Sequence, residues 1–130
     1  MAKTLAEKFF IKPGYRLAVL NAPQNYLSEA LVELPEGVTI VETLDGKFNL
    51  IQYFVTHQAE LLLQLESAKS GIEEGGVIWI CYPKGGSQAN LKTDLNRDLL
   101  RDLLAVSGLT PNHQMSIDET WSALRFKIAE

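Results

Sequence analysis

The chain has 130 residues, 46% of them hydrophobic and 22% charged, and its 12 Lys and Arg stand against 16 Asp and Glu for a net charge of −4. That length holds one core, so residues 1–130 read as a single domain, and the balance excludes disordered, collagen-like and coiled-coil chains. The acidic balance argues against neutralising many phosphates, one Cys excludes an internal disulfide, and two His exclude a His-rich metal cage; neither nucleic acid nor metal is expected.

Charge is spread unevenly. Residues 1–23 hold four cations against Glu7, residues 24–80 hold nine acids against Lys47 and Lys69, and residues 81–130 hold six of each. No basic stripe with interleaved aromatics emerges. The charged start, Lys3 to Lys8, lacks the apolar centre of a signal peptide, and no stretch approaches the roughly 18 uncharged apolar residues of a membrane span. A cytoplasmic protein away from the membrane, with a reduced Cys81, is the expectation.

Thr4-Leu5-Ala6-Glu7 has capping-box spacing and predicts a short helix to about Phe10, stopped by Lys12-Pro13-Gly14. Residues 15–20 read as an apolar strand ended by Asn21-Ala22-Pro23. Asn25 is placed to cap a helix with Leu27, Ala30, Leu31 and Leu34 on one face, closed by Pro35-Glu36-Gly37. Residues 38–41 are a β-branched strand, Asp45-Gly46 a turn, and 48–55 a second strand. These two strands lie too close for a parallel crossover of a dozen residues. Either they pair antiparallel, or the first is a short edge strand followed by irregular chain.

Leu61, Leu62, Leu65, Ala68 and Ile72 keep helical spacing, and Gly75-Gly76 separates that helix from a strand over 77–82. The strand is apolar at every position, as in a parallel sheet covered on both faces. A polar, glycine-bearing loop follows over 83–90. Thr93 or Asp94 then caps a helix presenting Leu95, Leu99, Leu103 and Val106, and Gly108 ends it. Residues 112–117 and 122–128 form a hairpin around Asp118-Glu119-Thr120-Trp121. The fold class is α/β, a three-layer Rossmann-like domain with a mostly parallel sheet and a C-terminal antiparallel hairpin.

The order of Lys12-Pro13-Gly14, the strand 16–20, Asp45-Gly46-Lys47-Phe48-Asn49-Leu50-Ile51, Gly75-Gly76-Val77-Ile78-Trp79-Ile80 and the closing helix and hairpin resembles a class I S-adenosylmethionine methyltransferase lacking one helix–strand unit. Leu20-Asn21-Ala22-Pro23, Tyr82-Pro83-Lys84, Thr93-Asp94-Leu95-Asn96 and the segment from Asp118 to Arg125 are also similar to a bacterial family of small proteins that carries a domain of unknown function. The methyltransferase resemblance implies an acid and glycines after the first strand. Here the turn Asn21-Ala22-Pro23-Gln24-Asn25 has neither, while Glu42 or Asp45 stands where an acid would meet the ribose. The cofactor site is therefore expected to be degenerate, with no cofactor bound, S-adenosylmethionine included.

Ligands of open parallel sheets bind beyond the carboxyl ends of the strands. That edge is expected to gather Asn21, His57, Tyr82, Lys84, the helix start Asp94, Asn96 and Arg97, and the turn Asp118, Glu119 and Trp121, with Arg125 near Trp121. Capping is the favoured account of Asp94 and Asn96, and packing or a cation–π contact that of Trp121 and Arg125. No catalytic residue is assigned: Cys81 lies in an apolar strand, and His57 and His113 have no ligand-spaced partner. The expected function is a non-catalytic or vestigial Rossmann-like module binding a small polar ligand or a protein partner through the face from Lys84 to Trp121. The alternatives are a minimal S-adenosylmethionine-dependent methyltransferase or other small-molecule transferase, and an oligomerising structural protein using its hairpin edge in a homo-oligomer.

Overall fold

A computed structural model describes residues 4–84 and 92–129, so the Gly85-Gly86 turn and most of the polar loop assigned to the candidate face lie outside the described residues. The Thr4 hydroxyl accepts from Glu7 N at 3.2 Å while Glu7 Oε1 accepts from Thr4 N at 2.9 Å, and this capping box starts α1 (Leu5–Lys8). In chain order there follow β1 (Arg16–Leu20), a π-helical turn (Tyr26–Ala30), β2 (Thr39–Val41), β3 (Phe48–Phe54) and α2 (Gln58–Ser70). β4 (Ile72–Pro83), α3 (Arg97–Val106), β5 (Leu109–Ser116) and β6 (Trp121–Ile128) come next.

The six strands form one sheet in the order β2-β1-β3-β4-β6-β5. β2, β1, β3 and β4 are parallel, and β6 runs antiparallel to both β4 and β5. The ambiguous joint resolves as a short edge strand: β2 pairs with β1 and not with β3. Because β2 is three residues long, residues 42–47 suffice to return the chain to the start of β3, and no crossover helix is needed.

The sheet is covered on both faces, which is why β4 is apolar along its central run. Ile51, Tyr53, Ile78 and Ile80 face α2 and α3 through Leu61, Leu65, Leu100 and Leu104. Leu50, Phe54, Trp79 and Cys81 face α1 and the π-helical turn through Ala6, Phe9, Tyr26 and Leu31. Cys81 is fully buried, and burial pushes its thiol well up, leaving it inert.

Three local expectations are corrected. The helix expected from Asn25 is only the five-residue π-helical turn, because Asn25 and Glu33 both adopt left-handed conformations that break helical repetition. Gly75-Gly76 does not precede the strand but lies within β4, in a segment that loops out of register against β3. Finally, α3 is capped by Asn96, whose side chain accepts from Leu99 N at 2.9 Å, and not by Thr93 or Asp94.

Three buried phenols make a prediction for alkaline pH. Tyr26 donates to Gln52 Oε1 at 2.6 Å, Tyr53 donates to the Glu60 carbonyl, and burial raises Tyr26, Tyr82 and Tyr53, the last to about 12. An unfolded chain ionises its phenols near pH 10, so it loses protons before the folded chain does. Stability from these groups is complete below pH 10 and falls as pH rises toward 12. Urea denaturation is expected to show a lower midpoint at pH 11 than at pH 8, with Tyr53→Phe reducing the difference; a flat profile refutes this.

Candidate functional site

The strand order reverses at β1: β2 lies on one side of it and β3 on the other. Open α/β sheets bind ligands in the crevice above such a reversal, at the carboxyl ends of the strands. Here the crevice is bounded by the turn after β1, the tip of β2 and the end of β3. Asn21 Nδ2 donates to the Phe54 carbonyl at 3.3 Å, tying the tips of β1 and β3 together.

The turn after β1 has neither glycine nor acid, as its sequence shows, but two asparagines take over part of glycine's backbone role. Asn21 has φ 58° and Asn25 φ 67°, so asparagine supplies the left-handed backbone that glycine would otherwise provide. Ala22, Pro23 and Asn25 line a pocket of about 190 Å3 together with Glu42, the residue directly after β2. The pocket is smaller than the roughly 300–1,000 Å3 of enclosed ligand sites, so a ligand held there extends over the open edge. An acid at the tip of the second strand, about 20 residues after the turn, is the group that accepts from ribose hydroxyls in dinucleotide-binding sheets. Glu42 meets that position.

Next to the crevice, at the end of β3, stands a chain of hydrogen bonds absent from the sequence-based reading. Glu60 Oε1 accepts from Thr56 N at 2.7 Å and from the Thr56 hydroxyl at 3.3 Å. Thr56 Oγ1 also lies 2.9 Å from His57 Nδ1. A threonine hydroxyl has one proton; given to Glu60, it leaves the oxygen to accept from Nδ1–H, and His57 Nε2 keeps its lone pair. His57 is exposed. It is the N-cap residue of α2 but makes no side-chain capping bond; Asp94 Oδ1 accepts from the first helical N–H, that of Gln58, at 2.8 Å.

The other expected residues divide into groups. Asp94 and Asn96 cap α2 and α3 respectively. Asp118 Oδ1 accepts from Thr120 N and Trp121 N, both at 2.8 Å, and so shapes the hairpin turn beside exposed Glu119. Lys84 Nζ reaches Ser116 Oγ at 2.6 Å, and Arg97 donates to Gln114 Oε1 at 3.3 Å. Tyr82 is buried on the face of α2 and α3, whereas Trp121 packs edge-on to Phe54, ring centroids 5.1 Å apart, on the other face. Arg125 is a correction: it lies over the Phe10 and Trp79 rings, away from Trp121, because four residues of strand span roughly 13 Å. Among the described residues no cluster of three or more His, Cys, Asp or Glu could hold a metal ion, and no helix is long and apolar enough to cross a membrane.

No family model matches the sequence, and no curated protein matches it. Solved structures do match. A DhpI–SAH complex aligns over 97% of this chain and 82% of its own, with 12% identity and a TM-score of 0.67. A ribosomal protein L11 methylase from Lactobacillus delbrueckii subsp. bulgaricus aligns over 95% and 74%, with 15% identity and a TM-score of 0.61. The CcbJ methyltransferase from Streptomyces caelestis aligns over 93% and 86%, with 10% identity and a TM-score of 0.64. These neighbours overturn two expectations, the vestigial non-catalytic module and the absence of a cofactor; a minimal methyltransferase fits them better. The chain has the mostly parallel Rossmann-like fold of the class I S-adenosylmethionine methyltransferases, shortened by one helix–strand unit.

Proposed function

We propose that the chain is a minimal methyltransferase that binds S-adenosylmethionine over the carboxyl end of β1, at the pocket between the turn that follows it and the tip of β2. The observation that carries the reading is that Glu42 lines the same pocket as Ala22, Pro23 and the left-handed Asn25 of the turn after β1, beside the point where strand order reverses. These residues fit the nucleoside half of the cofactor: Glu42 accepts from the ribose hydroxyls, and the turn brings backbone close to the ligand. The turn has no carboxylate for the methionine ammonium, so that half of the cofactor rests on the open edge. When bound, the cofactor supplies an electrophilic methyl group. His57 stands at the neighbouring strand end with a lone pair available to take the proton of a methyl acceptor.

Titration calorimetry with S-adenosylmethionine and S-adenosylhomocysteine tests the reading. Binding of both is expected. Glu42→Ala is expected to weaken each by about tenfold or more, the worth of a hydrogen bond to a charged group. Absence of heat and of a thermal shift at millimolar ligand refutes the proposal.

A further inference from the structure

At the opposite edge of the sheet, where the parallel strands begin, a groove of about 490 Å3 opens between the end of α1, β4 and the β5–β6 hairpin. Its volume falls within the roughly 300–1,000 Å3 typical of ligand sites. Both irregularities in the sheet's pairing border it. Between the pairs Phe48↔Ile72 and Leu50↔Val77, residues 73–76 of β4 loop outward. Between Pro111↔Phe126 and His113↔Arg125, Asn112 is the extra residue on β5. Bulges of this kind re-aim side chains and are frequent beside binding sites.

The first bulge depends on glycine. Gly75 has φ 80°, and a Cβ on Gly76 would meet Ile72 Cγ2 at 2.6 Å and the Asn49 carbonyl at 2.9 Å. The second bulge aims Asn112 at Arg125: its Oδ1 accepts from Arg125 Nε at 2.8 Å. The guanidinium is held 4.9 Å over the Phe10 ring and 5.6 Å from the Trp79 ring centre. Partial burial lowers the Arg125 pKa, and among the described residues no carboxylate lies within ion-pair distance of it. With Nε bonded to Asn112 and the guanidinium beside two aromatic rings, the two terminal nitrogens have no hydrogen-bond partner among the described residues and form the open edge of the fork.

We infer that this groove binds a small monocarboxylate with an apolar body, its carboxylate paired with Arg125 and its body laid on Phe10, Leu50 and Val77. The fork of terminal nitrogens matches the two oxygens of a carboxylate. The groove's charged lining is Lys12, Arg125 and Lys127 against Glu73 and Glu74, a single net positive charge that suits one negative charge and disfavours a dianion. Phe9, Leu50, Ile72 and Val77 give the floor its apolar character. The site is distinct from the Glu42 crevice, at the other end of the strands.

Amide chemical shifts of the full chain titrated with 3-phenylpropionate, and separately with 3-phenylpropanol and inorganic phosphate, test the assignment. 3-Phenylpropionate is expected to move the signals of Gly75, Gly76 and Asn112 and to bind about tenfold or more tighter than the neutral alcohol, with Arg125→Gln removing that advantage. Asn112→Ala, on the exposed bulge, frees Arg125 and is expected to weaken the probe several-fold even where Arg125→Gln fails to fold. Glu42→Ala is expected to leave the probe's affinity unchanged. Equal binding of acid and alcohol, binding of phosphate as tight as the acid, or an Arg125→Gln variant that binds like the parent overturns the inference, as does the absence of any shift at millimolar probe.

Discussion

Trp79→Ala is expected to lower the free energy of unfolding by about 3–5 kcal/mol, the range for truncating a buried large aromatic. Trp79 is 0% exposed and lies mid-sheet, paired in register with Gln52 of β3 and Arg125 of β6. Its ring meets Phe9 edge-on at 4.9 Å and His113 at 5.9 Å, so one truncation removes the seat of the first helix and of the Arg125 stack together. Single domains are stable by only about 5–15 kcal/mol, so this loss consumes a large share of the total. Trp79→Phe is expected to cost less than half as much. It keeps the edge contact with Phe9 and removes Nε1, a buried donor with no partner among the described residues. Urea denaturation followed by far-ultraviolet circular dichroism measures both. A Trp79→Ala cost of about 1 kcal/mol or less, the scale of a surface substitution, contradicts this account of the core.

The same residues show what a sequence makes legible. β4 is evident from its apolar run because burial on both faces leaves no polar alternation, and the capping box of α1 is evident because its donors and acceptors lie three residues apart. The π-helical turn is not evident: Leu27, Ala30 and Leu31 keep helical spacing, and only the backbone signs at Asn25 and Glu33 end the helix. The crevice was half hidden for a related reason. Asparagine accepts the left-handed region without announcing it as glycine does, and the place of Glu42 depended on whether β2 pairs with β1 or β3. Asp94 caps a helix that begins at Gln58, and Asn112 holds Arg125; such bonds join residues 36 and 13 positions apart, beyond any local pattern.

If the chain is the methyltransferase proposed above, His57→Gln is expected to lower methyl transfer by about 10²–10⁴-fold, the usual worth of a positioned general base, while leaving the calorimetric affinity for S-adenosylhomocysteine unchanged. A nucleophile that accepts a methyl group must shed a proton, and His57 Nε2 is the lone pair that the Glu60–Thr56–His57 chain leaves available at the sheet's carboxyl edge. Glutamine keeps hydrogen-bonding capacity but takes no proton, which separates chemistry from shape. Thr56→Val breaks the link between Glu60 and the imidazole, so its loss is expected to be smaller and of the same kind, since it relaxes the tautomer without removing the base. The rate is read as S-adenosylhomocysteine released with a panel of small phenols, amines and thiols. The deficit of His57→Gln is expected to shrink as pH rises, because acceptors that ionise unaided need no base. A His57→Gln enzyme as active as the parent at neutral pH, or a deficit that stays constant up to the ionisation of the acceptor, removes His57 from the chemistry and leaves the Thr56 bond as a brace for the start of α2.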